Sequence, residues 1–152
     1  HCGFTTLYTD TGRLVPQNRP EQPVLRIYDW TEWQSSHLEK IIRQKKESDE
    51  STPIFQDHEV TVKTGYKHDP LRQHCSGTLS MYLDRFEIEA DNGYTESLPL
   101  NEIDGIQVLL ANRFEFYYHE TLYTFGFKHT CTSGYKYLLA AQKIAPDKTE
   151  LE

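Results

Sequence analysis

Hydrophobic and polar residues alternate with a period of two along much of the second half of the chain. Val60 and Val62 stand between Glu59, Thr61 and Lys63; Leu79, Met81 and Leu83 alternate with Thr78, Ser80 and Tyr82; Phe86 and Ile88 alternate with Arg85, Glu87 and Glu89. Successive side chains of a strand point to opposite faces, so each run predicts a strand with one buried face. Asp91-Asn92-Gly93 is a strong turn signal leading into a strand over Tyr94 to Leu98. Pro99 cannot donate to a ladder, which places the end of that strand at an edge or corner. Ile106 to Leu110, Phe114 to Tyr118 and Leu122 to Phe127 complete a set of seven strands, with breaks at Asn112 and at His119-Glu120.

The period lengthens on either side of this run. Asp29 is a suitable N-cap for a helix from Trp30 to Lys46, in which Trp30, Trp33, His37 or Leu38, and Ile41 recur on one face and Lys40, Arg43 and Lys46 fall mostly opposite. Glu47 to Pro53 is polar and ends in proline, which stops that helix. At the other end, Thr132 or Ser133 caps a final helix with Tyr135, Leu138, Leu139 and Gln142 on one side, closing near Ile144 ahead of Pro146. Upstream of everything, Phe4 to Tyr8 and Arg13 to Val15 flank Asp10-Thr11-Gly12 and predict a hairpin, after which Pro16, Pro20 and Pro23 interrupt regular structure.

Composition narrows the classes of function. A chain of 152 residues with 37% hydrophobic content holds one core and a small appendage. A net charge of −7 argues against nucleic acid as a partner and against a general attraction to anionic lipid, leaving only local basic patches. No apolar run approaches the roughly 20 residues of a membrane-spanning helix, and no signal peptide is legible. Cys2, Cys75 and Cys131 are odd in number and far apart, which fits a reducing, cytoplasmic compartment better than a disulfide framework. The chain opens at His1-Cys2-Gly3-Phe4, inside what reads as a motif, so it is expected to be a fragment of something longer.

Seven short strands followed by one helix resemble, in element order, a pleckstrin-homology-like or GRAM-like domain. The likeness is carried by Gly77 to Phe86, by Leu98-Pro99-Leu100-Asn101-Glu102-Ile103, and by Phe125-Gly126-Phe127. The resemblance implies an α+β, mainly β fold: a curved seven-stranded antiparallel sheet or barrel capped by a C-terminal helix, with the hairpin and first helix as an N-terminal appendage. A narrower resemblance is to the C-terminal extension of bacterial 1-acyl-sn-glycerol-3-phosphate acyltransferases. There Cys2-Gly3-Phe4 looks like the end of a cysteine knuckle, Tyr28 to Gln34 like the helix start that follows, and Tyr135-Lys136-Tyr137 like the final helix. The family's catalytic histidine and aspartate are separated by four residues, and no histidine of this chain has an aspartate five positions on. Any acyltransferase chemistry would lie in the parent, outside this chain. The organisation expected is a truncated zinc-ribbon-like hairpin, Pro-rich linker and helix over residues 1–53, the β-domain over residues 54–145, and a polar tail over residues 146–152.

Candidate sites are few. A structural zinc needs four thiolate or imidazole ligands, supplied in ribbons by Cys-x-x-Cys pairs. Cys2 offers one ligand of an incomplete set, and His1, His74 and Cys75 lack knuckle spacing, so no cofactor is expected in this chain and zinc only in the intact protein. The loop between the first two strands of the β-domain brings Lys63, Lys67, His68, Arg72 and His74 within a dozen residues. In the pleckstrin-homology family this loop binds phosphoinositide headgroups, which makes Lys63, Lys67 and Arg72 the candidate anion ligands, since both side-chain types donate charge-assisted hydrogen bonds to phosphate. Asp57 and Asp69 nearby favour the plainer reading of a solvated charged loop. Cys131, ahead of a helix and two positions from His129, has the elements of an activated thiol but no third group. Asp84, Glu87, Glu89 and Asp91 read as a solvated sheet face, and the aromatics from Phe114 to Phe127 as core, because no basic cluster accompanies them for base stacking.

The function expected from these readings is a non-catalytic accessory or regulatory domain of a larger membrane-associated protein, suggested to be a lysophosphatidic acid acyltransferase of phospholipid biosynthesis. It would dock to the parent's catalytic domain, to another protein or to anionic lipid headgroups, and sit in the cytoplasm, peripheral to a membrane through its parent. The alternatives are a part of the acyltransferase substrate site, a Cys-dependent enzyme, and a protein-interaction module unrelated to lipid.

Overall fold

The structure, a computed structural model, describes residues 6–8, 13–16, 25–48, 51–110, 112–128 and 132–148. It contains two compact units, His1–Lys40 and Ile41–Glu152. In the first, β1 (Thr6–Tyr8), β2 (Arg13–Pro16) and β3 (Leu25–Arg26) form an antiparallel sheet in that order, with Leu7 opposite Val15 and Leu14 opposite Leu25. The expected hairpin is β1–β2. The two residues of β3, just after Pro23, are too short to show a period. Helix α1 (Ile27–Ser48) begins three residues before Trp30, so Asp29 lies inside its first turn and does not cap it. Among its described side chains Leu38 and Ile42 are buried, and His37 is exposed.

The second unit is mainly β. Its strands are β4 (Phe55–Tyr66), β5 (Arg72–Met81), β6 (Arg85–Ala90), β7 (Thr95–Pro99), β8 (Ile103–Leu110), β9 (Arg113–Tyr118) and β10 (Thr121–Phe127), followed by α2 (Tyr135–Ile144). They form one antiparallel sheet of order β7-β6-β5-β4-β10-β9-β8, curled into a half-barrel. One meander of four strands and one of three are joined where the first strand, β4, pairs with the last, β10. Register shifts interrupt β4–β5 after Asp57 and after Val62, and Glu59 adopts a left-handed φ of 56° at the first. Bulges of this kind bend a strand and increase its twist, which rolls the apolar face inward. Pro99 ends the edge strand β7, as its chemistry requires, and Gly93 takes φ 86° in the turn before it.

Gly77 has a steric reason. A Cβ there would lie 2.1 Å from the carbonyl oxygen of Glu89 and 2.7 Å from Cα of Ala90, so β5 and β6 can approach this closely only without one.

Aromatic rings fill the concave face as a continuous column. Tyr137 of α2 stacks on Phe114 at 4.8 Å, Phe114 on Phe125 at 4.9 Å, Phe125 meets Phe116 at 5.1 Å, and Phe116 stacks on Tyr123 at 6.0 Å. The aromatics Phe114, Phe116, Tyr123, Phe125 and Phe127 are core, as the alternation predicts, whereas Tyr117 on the opposite face is exposed.

The buried face of α2 differs from the expected one. Tyr137, Ala140 and Ala141 face inward, and Tyr135 and Gln142 are exposed. The two alanines let the helix approach the sheet end while one large ring enters it, a close fit that a count of leucines misses. Gly134 occupies the N-cap position without a side-chain bond, although Ser133 Oγ accepts from the Tyr135 amide at 3.2 Å. Among the described residues no helix is long and apolar enough to cross a membrane.

Candidate functional site

The half-barrel has two ends. At the α2 end the Tyr137 hydroxyl donates to Asp57, whose Oδ2 also holds Lys136 Nζ at 2.6 Å. At the other end, called the mouth below, the turns β4–β5 and β9–β10 are tied together: the Lys67 amide donates to the Glu120 carbonyl at 2.8 Å.

The three expected anion ligands do not converge. Only Lys67 lies in the β4–β5 turn; Lys63 belongs to β4, and Arg72 and His74 to β5. The stretch read as a loop is mostly strand. Its residues are polar on both faces because the strands run past the end of the core, which erases the alternation. Lys67 takes a left-handed φ of 52°, lies 3.5 Å from Glu120 Oε2 and stands 5.2 Å over the Tyr66 ring. Tyr66 donates its hydroxyl to that same Glu120 oxygen at 2.8 Å. Arg72 is opposite Thr64, which is opposite Tyr123, so it shares the mouth-facing side, and it makes no ion pair among the described residues. Lys63 is opposite Thr124, which puts it on the convex face.

A carboxylate occupies the middle of the mouth. Glu96 of β7 accepts the Tyr123 hydroxyl at 2.6 Å through Oε1, and its Oε2 lies 3.0 Å from His74 Nε2. His74 meets the rings of Tyr94 and Tyr123 edge-on, both at 6.0 Å. Burial, reinforced by the hydrogen bond to Glu96 and by its charge, pushes the Tyr123 phenol far above its ordinary range. Glu102 adds a further acid beside His119 at 3.2 Å. Each of the two turns carries a non-glycine residue in the left-handed region, Lys67 and His119, a conformation that costs about 1 kcal/mol apiece. Tyr66 and Tyr94 are 51% and 48% exposed, so two broad amphipathic rings flank the acids.

The chemistry this arrangement offers is recognition. Sequence reasoning found the cations but missed Glu96 and Tyr123 as partners, because they are separated along the chain and meet only when β7 and β10 curl toward each other. The Cys75 thiol is raised by burial first and by the charges of Glu96 and Asp91 next, the opposite of activation. The carboxylates of β6 are surface groups, with Arg85 bonded at 2.7 Å to both Asp84 and Glu87. Among the described residues no group of three or more His, Cys, Asp or Glu is placed to hold a metal ion. The proposed zinc ligand Cys2, and the pair His129 and Cys131, lie outside the described residues. No protein-family model matches the chain, and no curated protein matches it significantly.

Proposed function

We propose that the β-domain is a non-catalytic docking module of the pleckstrin-homology-like kind, and that its mouth engages a protein surface, in the first place the catalytic domain of its own parent. The sheet order, a four-strand and a three-strand meander closed by a C-terminal helix, supports the resemblance that prompted this reading. The parent suggested by the narrower resemblance is a lysophosphatidic acid acyltransferase of phospholipid synthesis, whose chemistry is carried elsewhere. The module would work in the cytoplasm, held near a membrane by that parent.

One observation favours protein over lipid. Where a headgroup phosphate would need clustered cations, Lys67 has the Glu120 carboxylate beside it and the centre belongs to Glu96, so a phosphate would meet acids there together with the cations Lys67 and Arg72. Cations among acids are a weak trap for a phosphate dianion, while exposed tyrosines around a charged centre are typical of protein contacts.

Sedimentation with phosphatidylcholine vesicles carrying a phosphoinositide is the test. At physiological salt any co-sedimentation is expected to be unchanged in the Lys67→Glu, Arg72→Glu double variant, because the mouth takes no part in it. Co-sedimentation that disappears in the Lys67→Glu, Arg72→Glu double variant would replace the protein-docking reading with a lipid-docking one.

A further inference from the structure

The convex face of the sheet, opposite the aromatic column, carries an open groove of about 580 Å3 lined along its floor by Gly126. Along one cross-strand row Gly126 stands between Thr61 of β4 and Arg113 of β9; along the next, Thr124 stands between Lys63 and Glu115. Neighbouring strands are about 4.8 Å apart, so leaving out the side chain between Thr61 and Arg113 opens a trough roughly 10 Å wide.

Nothing in the fold requires that omission. A Cβ at Gly126 would meet only the Thr61 carbonyl oxygen, at 3.9 Å, and its backbone is not in the left-handed region. Gly77 is different, since packing explains it fully. A glycine inside a strand weakens the strand, and one that neither packing nor φ demands marks a place where something approaches the backbone.

The charges show what that is. Lys63, Arg113 and Lys128 line the groove against Glu59 and Asp91, in a chain whose net charge is −7. Lys128 is bonded to Glu59 at 2.8 Å, whereas Lys63 and Arg113 make no ion pair among the described residues. The buried Glu115 beneath them is turned to other partners, since its oxygens accept from Gln107 and Thr124. Asp91 lines the same part of the groove as Ser76, whose main-chain oxygen its amide bonds at 2.9 Å. Ser76 Oγ accepts from Gln73 at 3.5 Å, which leaves its proton free to donate, and Thr61 lines the same groove.

From this we infer that the groove is a binding site for a phosphate monoester. Lys63 and Arg113 face its dianion and offset the charge of Asp91 in part, the hydroxyls of Thr61 and Ser76 donate to its oxygens, and Gly126 admits it against the sheet. A volume of about 580 Å3 exceeds what a phosphate fills and lies within the range of small-molecule sites, so the organic part of the ester rests along the exposed Leu71.

Two-dimensional NMR of the labelled chain tests this with inorganic phosphate, at constant ionic strength against chloride. Amide shifts are expected at Thr61, Ser76, Arg113 and Gly126. Lys63→Gln and Arg113→Gln should each weaken binding about tenfold. Gly126→Leu, which fills the trough and keeps every charge, should abolish it. Should that variant fail to fold, the Lys63→Gln, Arg113→Gln double variant decides in its place. Vesicles carrying a phosphate-monoester lipid form a second arm: binding there that depends on Lys63 and Arg113 identifies the source as lipid, and binding of soluble phosphate alone identifies a metabolite. Shifts that are absent, that survive Gly126→Leu, or that centre on Lys67 and Arg72 would overturn the site.

Discussion

Tyrosine hydroxyls end the aromatic column on both sides, each delivered to a carboxylate: Tyr137 to Asp57 and Tyr123 to Glu96. Burial raises both phenols far above the ordinary 10.0, helped at Tyr137 by the charge of Asp57 and at Tyr123 by the hydrogen bond to Glu96. A group whose folded pKa is raised contributes stability that is fully present below its unfolded value and is lost as pH climbs from there toward the folded one. Each proton kept by the folded chain and given up by the unfolded one therefore steepens the alkaline decline by about 1.4 kcal/mol per pH unit. The pair accounts for about 2.7 kcal/mol per unit above pH ~10. Tyr66, Tyr82, Tyr94 and Tyr118 are raised as well, as is Lys128, so the wild-type slope contains smaller contributions of the same sign. Differences between proteins remove them. Urea unfolding followed by circular dichroism from about pH 8 to 12 should show Tyr123→Phe and Tyr137→Phe each shallower than wild type by about 1.4 kcal/mol per unit, and the double variant by about twice that. At neutral pH each single variant should cost about 1 to 2 kcal/mol for the lost charge-assisted bond. Identical alkaline slopes in all four proteins would refute the assignment of these two hydroxyls.

The two glycines provide a contrast in the same assay: Gly77→Ala should cost about 3 kcal/mol because its Cβ collides with Glu89, and Gly126→Ala should stay within about 0.5 kcal/mol. Equal costs would sink both the packing account of Gly77 and the vacancy at Gly126. For the mouth, a double-mutant cycle between Lys67 and Glu120, whose side chains are 52% and 62% exposed, should give a coupling below about 0.5 kcal/mol that fades with salt. A coupling above about 1.5 kcal/mol would mean that the pair is a structural lock and not a displaceable surface contact.

What the sequence made legible follows from which physics acts locally. The seven strands of the second unit are legible because apolar and polar residues alternate along most of them, even where, as at Glu115 and Thr124, the polar position is itself buried, and Asp91-Asn92-Gly93 and His119-Glu120 carry turn chemistry that does not depend on distant partners. Leu83 was read into β5 on alternation alone but lies in the turn after Met81, where the chain must reverse to reach β6. The extent of β4 and β5 toward the mouth was not readable, since both faces there are polar. The face of α2 was misread because hydrophobicity ranks Leu138 above Ala140, while the space at the sheet end admits only the smaller residue. The mouth was legible as cations and illegible as a balance, because Glu120 and Glu96 reach Lys67 and Tyr123 through pairings that no local window contains.

The pairing of β4 with β10 also governs the order in which this unit can assemble. Every other ladder of its sheet joins strands adjacent along the chain, so the meanders β4 to β7 and β8 to β10 can form as successive hairpins. The closing ladder brings Val60 to Phe127 and Tyr66 to Thr121, across roughly sixty residues of chain. A chain emerging from the ribosome therefore holds β4 with one unpaired edge until β10 is made, and during that interval the edge beside Val60 and Val62 is open to pairing with another strand.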